Sequence, residues 1–479
     1  MNNLNFLVDV LKESPVFKTL EKNVKPGRTV CASGLSTINK SNIIYALCRL
    51  KGVTAFCLAS DEKEAQTLCN DLSCMGLRAY VYPVRDFNFL DFQSRSHEYE
   101  HARLKVLLKL LNHECDVAIA CVDAAAQLTV PRNVLEQSVI EFEEGRELSL
   151  EKATKALTLL GYERFDAVEG SGQFSLRGGI LDFFMPDSDY PVRCEFWGDE
   201  ITDLSYFDIE TQRRFKKADK ITLSPSTEIV IEDRAALADK IEHKAKLLRS
   251  KNSAKAKEKL FSEAELIRSG AMIANADKFI NQIYDKPESL FDYLDRNTLV
   301  FASEFTAIQE RGKSMDFISN ETLMQGFEDG TLCRGFDRFA LTFNECTEFL
   351  QSHGTIVLEN FVHGSMPIKL SEIISFSTKQ LSAWGGSYKQ LKEDVDGLFT
   401  PESKGVIFAG TERAAKNLCD TFNADGINAV YSEGADKISK GELLVMQGAL
   451  SAGFEYPSQK FFAITYSQVS YRPEKSKKK

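Results

Sequence analysis

Strand and helix patterns alternate between residues 28 and 130, and this alternation is the strongest constraint on the fold. Four short apolar runs, RTVCAS, VTAFCLA, RAYVYP and DVAIACV, are separated by amphipathic stretches at 40–51, 61–75 and 97–112. Such an alternation places parallel strands in one sheet with helices covering its faces. The sequence therefore predicts an α/β domain in the first part of the chain.

The hydrophobic period changes to two after a further helical stretch at 150–161. QFSLRGGILDFF, YPVRCEFWGDEI and DLSYFDIET read as antiparallel strands joined by turns rich in Gly or Asp. The sequence predicts a small, mainly antiparallel sheet domain at 140–222, inserted into the α/β domain.

Alternation within these strands predicts which side chains share the outer face of the small sheet. The predicted outer face carries Ser175, Arg177, Arg193, Glu195 and Trp197. A large aromatic beside arginine is typical of a protein-binding hot spot, although cover by a neighbouring domain would leave the same pattern. Residues 161–200 hold three arginines against nine acids. This balance disfavours nucleic acid and favours a protein partner with acidic groups of its own.

The rest of the chain divides into a helix-rich region and a second strand–helix block. The region at 223–365 carries helices of mixed charge and the strand candidates TLVFASE and FALTF. At 366–470 the strands KGVIFAG, INAVYS, ELLVMQG and KFFAITYS enclose the helix TERAAKNLCDTFNADG. The predicted fold is therefore multidomain α/β: a split domain at 1–139 and 223–365, a second small α/β domain at 366–470, and a charged linker at 471–479.

The stretch CASGLSTINKSNIIYAL resembles a phosphate-binding loop, G-x-x-x-x-G-K-[ST], that has lost one residue type. Gly34, Lys40 and Ser41 stand at the expected spacing, but Asn39 replaces the second glycine. Nucleotide hydrolysis also needs a carboxylate for magnesium, and Asp123 in VAIACVD is the one acid at a plausible position. We therefore expect a degenerate, inactive loop and no enzymatic activity, with residual nucleotide binding as the alternative.

Other classes of chemistry have weaker support in the sequence. HEYEH at 97–101 matches a zinc motif, but it lies at the start of a charged helix without a third ligand, so no metal or other cofactor is predicted. Eleven cysteines without a C-x-x-C pair suit a reducing cytoplasm, and no apolar run is long enough for a membrane span. The net charge of −10 argues against DNA binding by the surface of the whole chain. The basic helical region 240–260 remains as an alternative DNA-binding module.

The segment GQFSLRGGILDFFMPDSDYPVRCEFWGDEITDLSYFDIETQRR resembles the signature that the excinuclease subunit UvrB shares with the bacterial transcription-repair coupling factors. VYPVRDFNFLDFQSRSHEYEHARLKVLLKL, AIACVDAAAQLTVP and ELLVMQGALSAGFEYPSQKFFAITYSQV are similar to further coupling-factor segments. The resemblance implies the UvrB-like half of that family, with a RecA-like α/β domain whose phosphate loop no longer hydrolyses ATP.

The resemblance also implies a partner and a site. The small sheet domain in this family binds UvrA, the damage-recognition subunit, and the family contacts fall on Arg177, Arg193 and Trp197, where the family usually has Phe at the last position. RNA polymerase and DNA would be bound through the family's polymerase-binding domain and ATP-driven translocase, which the resemblance places beyond this chain. The implied function is therefore recruitment of excision repair, without catalysis by these residues.

Overall fold

The structure of the chain is a computed structural model, which describes residues 4–85, 97–249, 253–270, 276–362, 366–385 and 387–466. The linker predicted at 471–479 lies outside these residues. The first elements are α1 (Asn5–Lys12), α2 (Pro15–Asn23), β1 (Val30–Ser33), α3 (Thr37–Lys51), β2 (Ala55–Ala59), α4 (Glu62–Cys74), β3 (Ala79–Tyr82), α5 (Glu98–Leu111), β4 (Val117–Cys121), α6 (Val122–Ala126) and α7 (Arg132–Gln137). Strand and helix alternate from β1 to α6, as predicted.

The elements of the small sheet domain are β5 (Ile140–Glu143), α8 (Leu150–Leu159), β6 (Glu163–Arg164), β7 (Gln173–Arg177), β8 (Ile180–Phe183), β9 (Val192–Trp197), β10 (Glu200–Phe207), β11 (Arg214–Lys217) and β12 (Lys220–Leu223). The helix-rich region contains α9 (Arg234–Leu247), α10 (Ser253–Ser269), α11 (Ile280–Ile283), β13 (Leu299–Ser303), α12 (Phe305–Asp329), α13 (Phe343–His353), β14 (Thr355–Leu358) and β15 (Glu372–Ser375). The last elements are β16 (Lys379–Leu381), α14 (Tyr388–Leu398), β17 (Lys404–Phe408), α15 (Glu412–Ala424), β18 (Ala429–Tyr431), β19 (Glu442–Met446), β20 (Gly453–Tyr456) and β21 (Phe461–Thr465). Short 3₁₀ turns lie at Ala276–Phe279, Leu290–Tyr293 and Pro457–Gln459.

A seven-stranded parallel sheet forms the centre of the first domain, in the order β15-β1-β14-β13-β2-β4-β3. Strands β1, β2, β4 and β14 are buried along their whole length, as expected for a parallel sheet with both faces covered. Four strands precede the small sheet domain in the chain and three follow it. The sheet is therefore completed only when the chain returns from that domain.

The edge strand β15 lies within the interval predicted for the last domain, yet it pairs with β1 of the first sheet. The Phe376 backbone N–H extends this pairing by donating to the Ser33 carbonyl (2.8 Å), and the Thr378 hydroxyl donates to the Gly34 carbonyl (2.7 Å). Pairing with β15 satisfies the backbone groups along the outer side of β1, which would otherwise form a buried sheet edge. The first sheet thus extends to residue 375.

The strand prediction for FALTF is wrong. Thr342 caps the start of α13: its hydroxyl accepts from the Glu345 backbone N–H, and the Glu345 carboxylate accepts from the Thr342 backbone N–H. This reciprocal capping starts a helix where alternation alone indicated a strand. Before the cap, Ala340 makes only an isolated bridge to Gln127. The TLVFASE strand is confirmed as β13, whereas β14 was not among the predicted strands.

The small domain is built on a six-stranded sheet with the order β11-β10-β9-β8-β7-β6. All its pairings are antiparallel except that of β6 with β7, which confirms the period-two interpretation. Phe174, Leu181, Val192 and Cys194 pack its inner face against Leu157 of α8. Strands β5 and β12 pair where the chain enters and leaves the domain.

The last domain contains a second six-stranded sheet, ordered β16-β20-β21-β17-β19-β18. Its strands β17, β18, β19 and β21 are those predicted from the sequence. Phe408, Phe454 and Phe461 belong to one apolar core with Phe6 of α1, so this domain packs directly on the first. The Asp71 carboxylate also accepts hydrogen bonds from the Ser451 backbone and hydroxyl, both at 2.7 Å.

A buried ion pair fixes the point where the chain returns from the small sheet domain. Arg103 of α5 donates from Nε to Glu228 Oε1 (2.6 Å), and the Thr129 hydroxyl donates to Glu228 Oε2 (2.8 Å). Both charged side chains are almost completely buried. A buried charge that loses its partner is strongly destabilising, so this pair holds the returning segment against α5.

Gly34 is the position where we expect the sheet to tolerate a side chain least. Its φ is +78°, and an added Cβ would lie 2.2 Å from the Phe376 carbonyl oxygen. We expect Gly34→Ala to lower the free energy of unfolding by about 3 kcal/mol or more, from left-handed backbone strain plus overpacking. Urea denaturation would measure the loss.

Gly52→Ala is the matched control, because Gly52 also has a positive φ, +63°, but open space around it. Its expected cost is about 1 kcal/mol, from the backbone alone. Equal losses in the two variants would contradict the close approach of β15 to Gly34.

Candidate functional site

Two arginines share one buried carboxylate on the outer face of the small sheet. Asp182 of β8 lies directly opposite Arg193 of β9 in the strand register. Arg193 binds it in a bidentate way, with nitrogen–oxygen distances of 2.7 and 2.8 Å, and Arg177 binds the same carboxylate at 2.9 Å. Two parallel N–H···O bonds fix the plane of a guanidinium as well as its position. The Asp182 carboxylate therefore holds both guanidinium groups in place on the sheet.

The two arginines differ in how much of the guanidinium is available to a partner. Arg193 is 13% exposed, lies over the Phe207 ring at 4.4 Å, and also donates to the backbone and side-chain oxygens of Gln212 (3.2 and 3.1 Å). Arg177 is 51% exposed and binds the Asp182 carboxylate. Arg177 is thus the more available cation, whereas most hydrogen-bonding capacity of Arg193 is used within the domain.

Trp197 ends strand β9 on the same side of the sheet and is 81% exposed. The turn that follows begins with Gly198, at φ +64°, and leads into β10. Tryptophan is highly buried on average, so an indole held in solvent at the end of a rigid strand is a strong candidate for an anchor that a partner covers.

The remaining predicted members of this face are less available. Ser175 is buried, and its hydroxyl donates to the Asp166 carbonyl at 2.8 Å. Glu195 forms an ion pair with Arg214 of β11. Asp182 was not among the predicted site residues, although it is a lone acid in the apolar strand ILDFF. Its alternation with Leu181 and Phe183 was the available signal that it shares a face with the arginines.

In the degenerate phosphate loop, the lysine is buried and bound by carboxylates. Lys40 Nζ lies 2.6 Å from Glu304 Oε1 and 3.2 Å from Glu64 Oε1, and it also donates to the Ser303 hydroxyl at 2.9 Å. Glu304 precedes α12 with a φ of +56°, a left-handed conformation that is rare outside glycine and is maintained only where the surroundings enforce it. The ammonium that would bind phosphate thus has two internal counterions.

The other polar groups of the loop also bind protein atoms. The Gly34 and Leu35 backbone N–H groups donate to the Asn360 and Glu359 carbonyls, each at 3.1 Å. Buried Asn39 accepts from the Ser36 hydroxyl at 2.7 Å, and the Ser41 hydroxyl lies 3.3 Å from Asp71. Phosphate-binding loops use free backbone N–H groups. Here the Gly34 and Leu35 N–H groups are already satisfied.

Asp123, the candidate magnesium ligand, forms a bidentate pair with Arg311 of α12 at 3.0 and 2.7 Å. The sequence did not indicate Arg311 as its partner. Within the described ranges, no group of three or more His, Cys, Asp or Glu side chains is arranged to hold a metal ion. His97 and His101 of the HEYEH motif stack at 5.9 Å between ring centroids, and an added Cβ on Gly172 would meet the His101 ring. This histidine pair therefore packs at the junction with the small sheet domain.

Burial and charge shift the carboxyl groups around Lys40 in opposite directions. Burial alone would raise the pKa of Glu64, but the Lys40 ammonium and the Ser303 and Ser60 hydroxyls outweigh it and hold that pKa below its ordinary value. Burial, together with the Glu304 carboxylate, raises the pKa of Glu359 to about 7. These acids were not among the predicted site residues, although Glu304 and Glu359 each follow a buried apolar strand directly, at the edge where the parallel strands end.

The raised pKa of Glu359 makes a pH-dependent contribution to stability. The unfolded chain releases this proton near the ordinary pKa, about 4.5, whereas the folded chain keeps it up to about pH 7. The contribution of Glu359 to the free energy of unfolding therefore falls as pH rises through this window. We expect Glu359→Gln, compared with the wild type, to gain stability between pH 5 and pH 8 in urea denaturation.

Glu64→Gln is the control for this experiment. Its pKa is lowered in the folded state, so its stabilising contribution is complete above pH 5. The stability difference of this variant should stay level between pH 5 and pH 8. A level difference for Glu359→Gln as well would contradict the proton held on Glu359.

Comparison with known proteins found a family model that matches the small sheet domain and relatives that match nearly the whole chain. The family model for the UvrB interaction domain matches residues 140–229. The transcription-repair-coupling factor of Bacillus subtilis (strain 168) is 26% identical over 98% of this chain and 41% of its own length. The corresponding proteins of Staphylococcus epidermidis and Staphylococcus aureus (strain MRSA252) are 25% and 22% identical over 84% and 99% of the chain.

The chain thus spans about 41% of the length of relatives that match it almost end to end. No helix in the described part of the chain has the length and apolar character needed to cross a membrane. The resemblance inferred from the sequence is confirmed: the chain carries a UvrB interaction domain at residues 140–229 and, over nearly all its length, is similar to part of the bacterial transcription-repair coupling factors.

Proposed function

We propose that this chain is a non-catalytic recruitment module that binds UvrA through the outer face of its small sheet domain. The observation that carries the proposal is the coincidence of two findings. Residues 140–229 match the UvrB interaction domain, and that domain holds an exposed indole and an available arginine on one rigid face. Preorganised aromatic and arginine anchors are the residues that carry most binding energy at protein interfaces.

Each residue of the face has a distinct proposed role. Trp197 buries its indole against UvrA, and Arg177 pairs with an acidic group of UvrA. Asp182 and Arg193 act mainly as positioning residues, because Arg193 is largely buried and its bidentate contact orients the carboxylate that also holds Arg177. A fixed side chain loses less conformational entropy on binding, so this support increases affinity without a new contact.

The proposal that the chain does not hydrolyse nucleotide is supported by the state of the degenerate loop. Lys40 is buried between Glu64 and Glu304, and the Gly34 and Leu35 N–H groups donate to carbonyls. A nucleoside triphosphate would have to displace these partners and then lie beside carboxylates of its own sign. The cost of separating a buried ion pair makes this exchange unfavourable.

The role proposed for the module in repair is supported by its relatives, which are named transcription-repair-coupling factors. We propose that this chain brings excision repair to stalled RNA polymerase in the cytoplasm. The proposal assigns contacts with RNA polymerase and ATP-driven movement along DNA to the portion of the relatives' length that this chain does not span.

Alanine substitutions on the face test the recruitment proposal. We expect Arg177→Ala and Trp197→Ala each to weaken UvrA binding about 30-fold or more, because truncating a buried anchor typically costs about 2 kcal/mol or more. Arg193→Ala and Asp182→Asn should also weaken binding by releasing Arg177 from its fixed position. Calorimetric titration of each variant with UvrA measures these losses, and circular dichroism verifies folding.

Two exposed residues outside the sheet domain supply matched controls. Phe361→Ala removes an aromatic ring that is 71% exposed, and Arg338→Ala removes a guanidinium that is 58% exposed. Both should bind UvrA as the wild type does. Wild-type affinity in the Arg177 and Trp197 variants, or equal losses in the controls, would contradict the proposed face.

The alternative of residual nucleotide binding predicts a different result. Titration of the chain with ATP and magnesium should give no saturable heat, because the Lys40 ammonium and the Gly34 and Leu35 N–H groups are already bound. A stoichiometric binding isotherm that disappears in Lys40→Met would contradict the inactive loop and support the alternative.

A further inference from the structure

Helices α9 and α10 form an antiparallel hairpin whose two ends differ in charge. Arg268 of α10 pairs with Asp239 and Glu242 of α9 at 2.8 and 2.7 Å, which closes the base of the hairpin. Farther along, Lys246 lies over the Phe261 ring at 6.0 Å. The end of α9 and the start of α10 therefore lie together at the tip.

The tip of the hairpin concentrates positive charge. Residues 243–257 contain no Asp or Glu, in a chain whose acids outnumber its basic residues by 69 to 59. The described cations of this stretch, named here the hairpin patch, are Lys244, Lys246, Arg249, Lys255 and Lys257. Lys246, Arg249 and Lys255 are exposed, so the charge faces solvent.

Few of these cations pair with a carboxylate in the described part of the chain. In the described ranges no carboxylate lies within 4.0 Å of Arg249, Lys255 or Lys257, and Lys244 donates to the Gly335 carbonyl. Lys246 is 3.6 Å from Glu242, which already binds Arg268 more closely. The end of α12, with Glu328 and Asp329, comes near Lys255 through Gly330, yet neither acid pairs with the patch.

This segregation differs from an ordinary solvated helix face. Elsewhere in the chain exposed helices carry paired charges four residues apart, such as Lys155 with Glu151 and Lys416 with Glu412, whereas among the patch cations Lys246 alone has such a partner, Glu242, in the described residues. Such pairs stabilise a helix, whereas a cluster of like charges opposes it. The hairpin patch keeps that repulsion, which a bound polyanion would relieve.

We propose that the hairpin patch binds the phosphate backbone of duplex nucleic acid, at a site separate from the UvrA-binding face. Lysines supply mobile point charges that neutralise phosphates without reading sequence. Interfaces with proteins are depleted in lysine. Non-specific single-strand sites use successive aromatic stacking platforms, whereas residues 234–269 contain one Phe, Tyr or Trp, the Phe261 that Lys246 overlies. The composition therefore fits a duplex held by charge, with affinity that falls steeply with salt.

The test uses the full chain and a fluorescein-labelled undamaged 30-base-pair duplex, with fluorescence anisotropy measured between 25 and 200 mM KCl. With about four phosphate contacts, the logarithm of the association constant should fall against the logarithm of salt with a slope near −3.6. The test variant removes the four most available cations of the patch. It combines Lys246→Gln, Arg249→Gln, Lys255→Gln and Lys257→Gln.

The expected loss in the test variant is more than tenfold at 50 mM KCl, with a slope close to zero. The two half variants, Lys246→Gln with Arg249→Gln and Lys255→Gln with Lys257→Gln, should each lose about half the slope. The matched control changes the net charge equally at exposed lysines of other helices, strands and loops and should bind as the wild type does. It combines Lys18→Gln, Lys379→Gln, Lys416→Gln and Lys440→Gln.

Three results would overturn the proposal: no duplex binding by the wild type at 25 mM KCl, equal losses in the test and control variants, or competition by polyglutamate as effective per charge as that by unlabelled duplex. The last result would assign the patch to an acidic protein. UvrA titration of the test variant is the independent readout. Unchanged UvrA affinity with lost duplex binding would support two separate sites.

Discussion

The buried ammonium of Lys40 is the contact on which the split α/β domain depends. It joins α3 and α4, which precede the inserted sheet domain, to Ser303 and Glu304, which follow that domain in the chain. The same contact occupies the lysine that a phosphate loop would offer to a nucleotide. One interaction therefore links the elements before and after the insertion and leaves the Lys40 ammonium bound to internal carboxylates.

The rigidity of this domain bears on the proposed recruitment face. The chain leaves for the small sheet after α7 and returns at Glu228, where the buried pair with Arg103 fixes the segment. Within the small sheet, a buried carboxylate likewise fixes charged side chains, because Asp182 orients both Arg177 and Arg193. Trp197 and Arg177 are thus presented on a supported surface, which reduces the entropy that a partner must remove on binding.

Local patterns predicted much of the fold, and long-range pairing accounts for the rest. Apolar runs identified β1 to β4 and β13 of the first sheet, and alternation identified the outer-face position of Trp197, because both patterns depend only on neighbouring residues. It could not assign β15 to β1, since the partner lies more than three hundred residues away. It also missed Glu304 and Glu359 as neighbours of Lys40, and the capping of Thr342 by Glu345 reversed the strand prediction for FALTF. The sequence therefore predicted that the loop lacks the second glycine of the phosphate-binding motif. It did not predict that Lys40 forms a buried ion pair with Glu64 and Glu304.

The most direct test of the recruitment face is fluorine NMR of the chain labelled with 5-fluorotryptophan. The sequence contains two tryptophans, Trp197 and Trp384, so the spectrum has one resonance on the face and one internal reference in the last domain. If UvrA covers the recruitment face, it shifts the Trp197 resonance and abolishes its solvent isotope shift between H₂O and D₂O, while the Trp384 resonance keeps its position. A Trp197 resonance that retains its full isotope shift in the presence of saturating UvrA would contradict binding through this face.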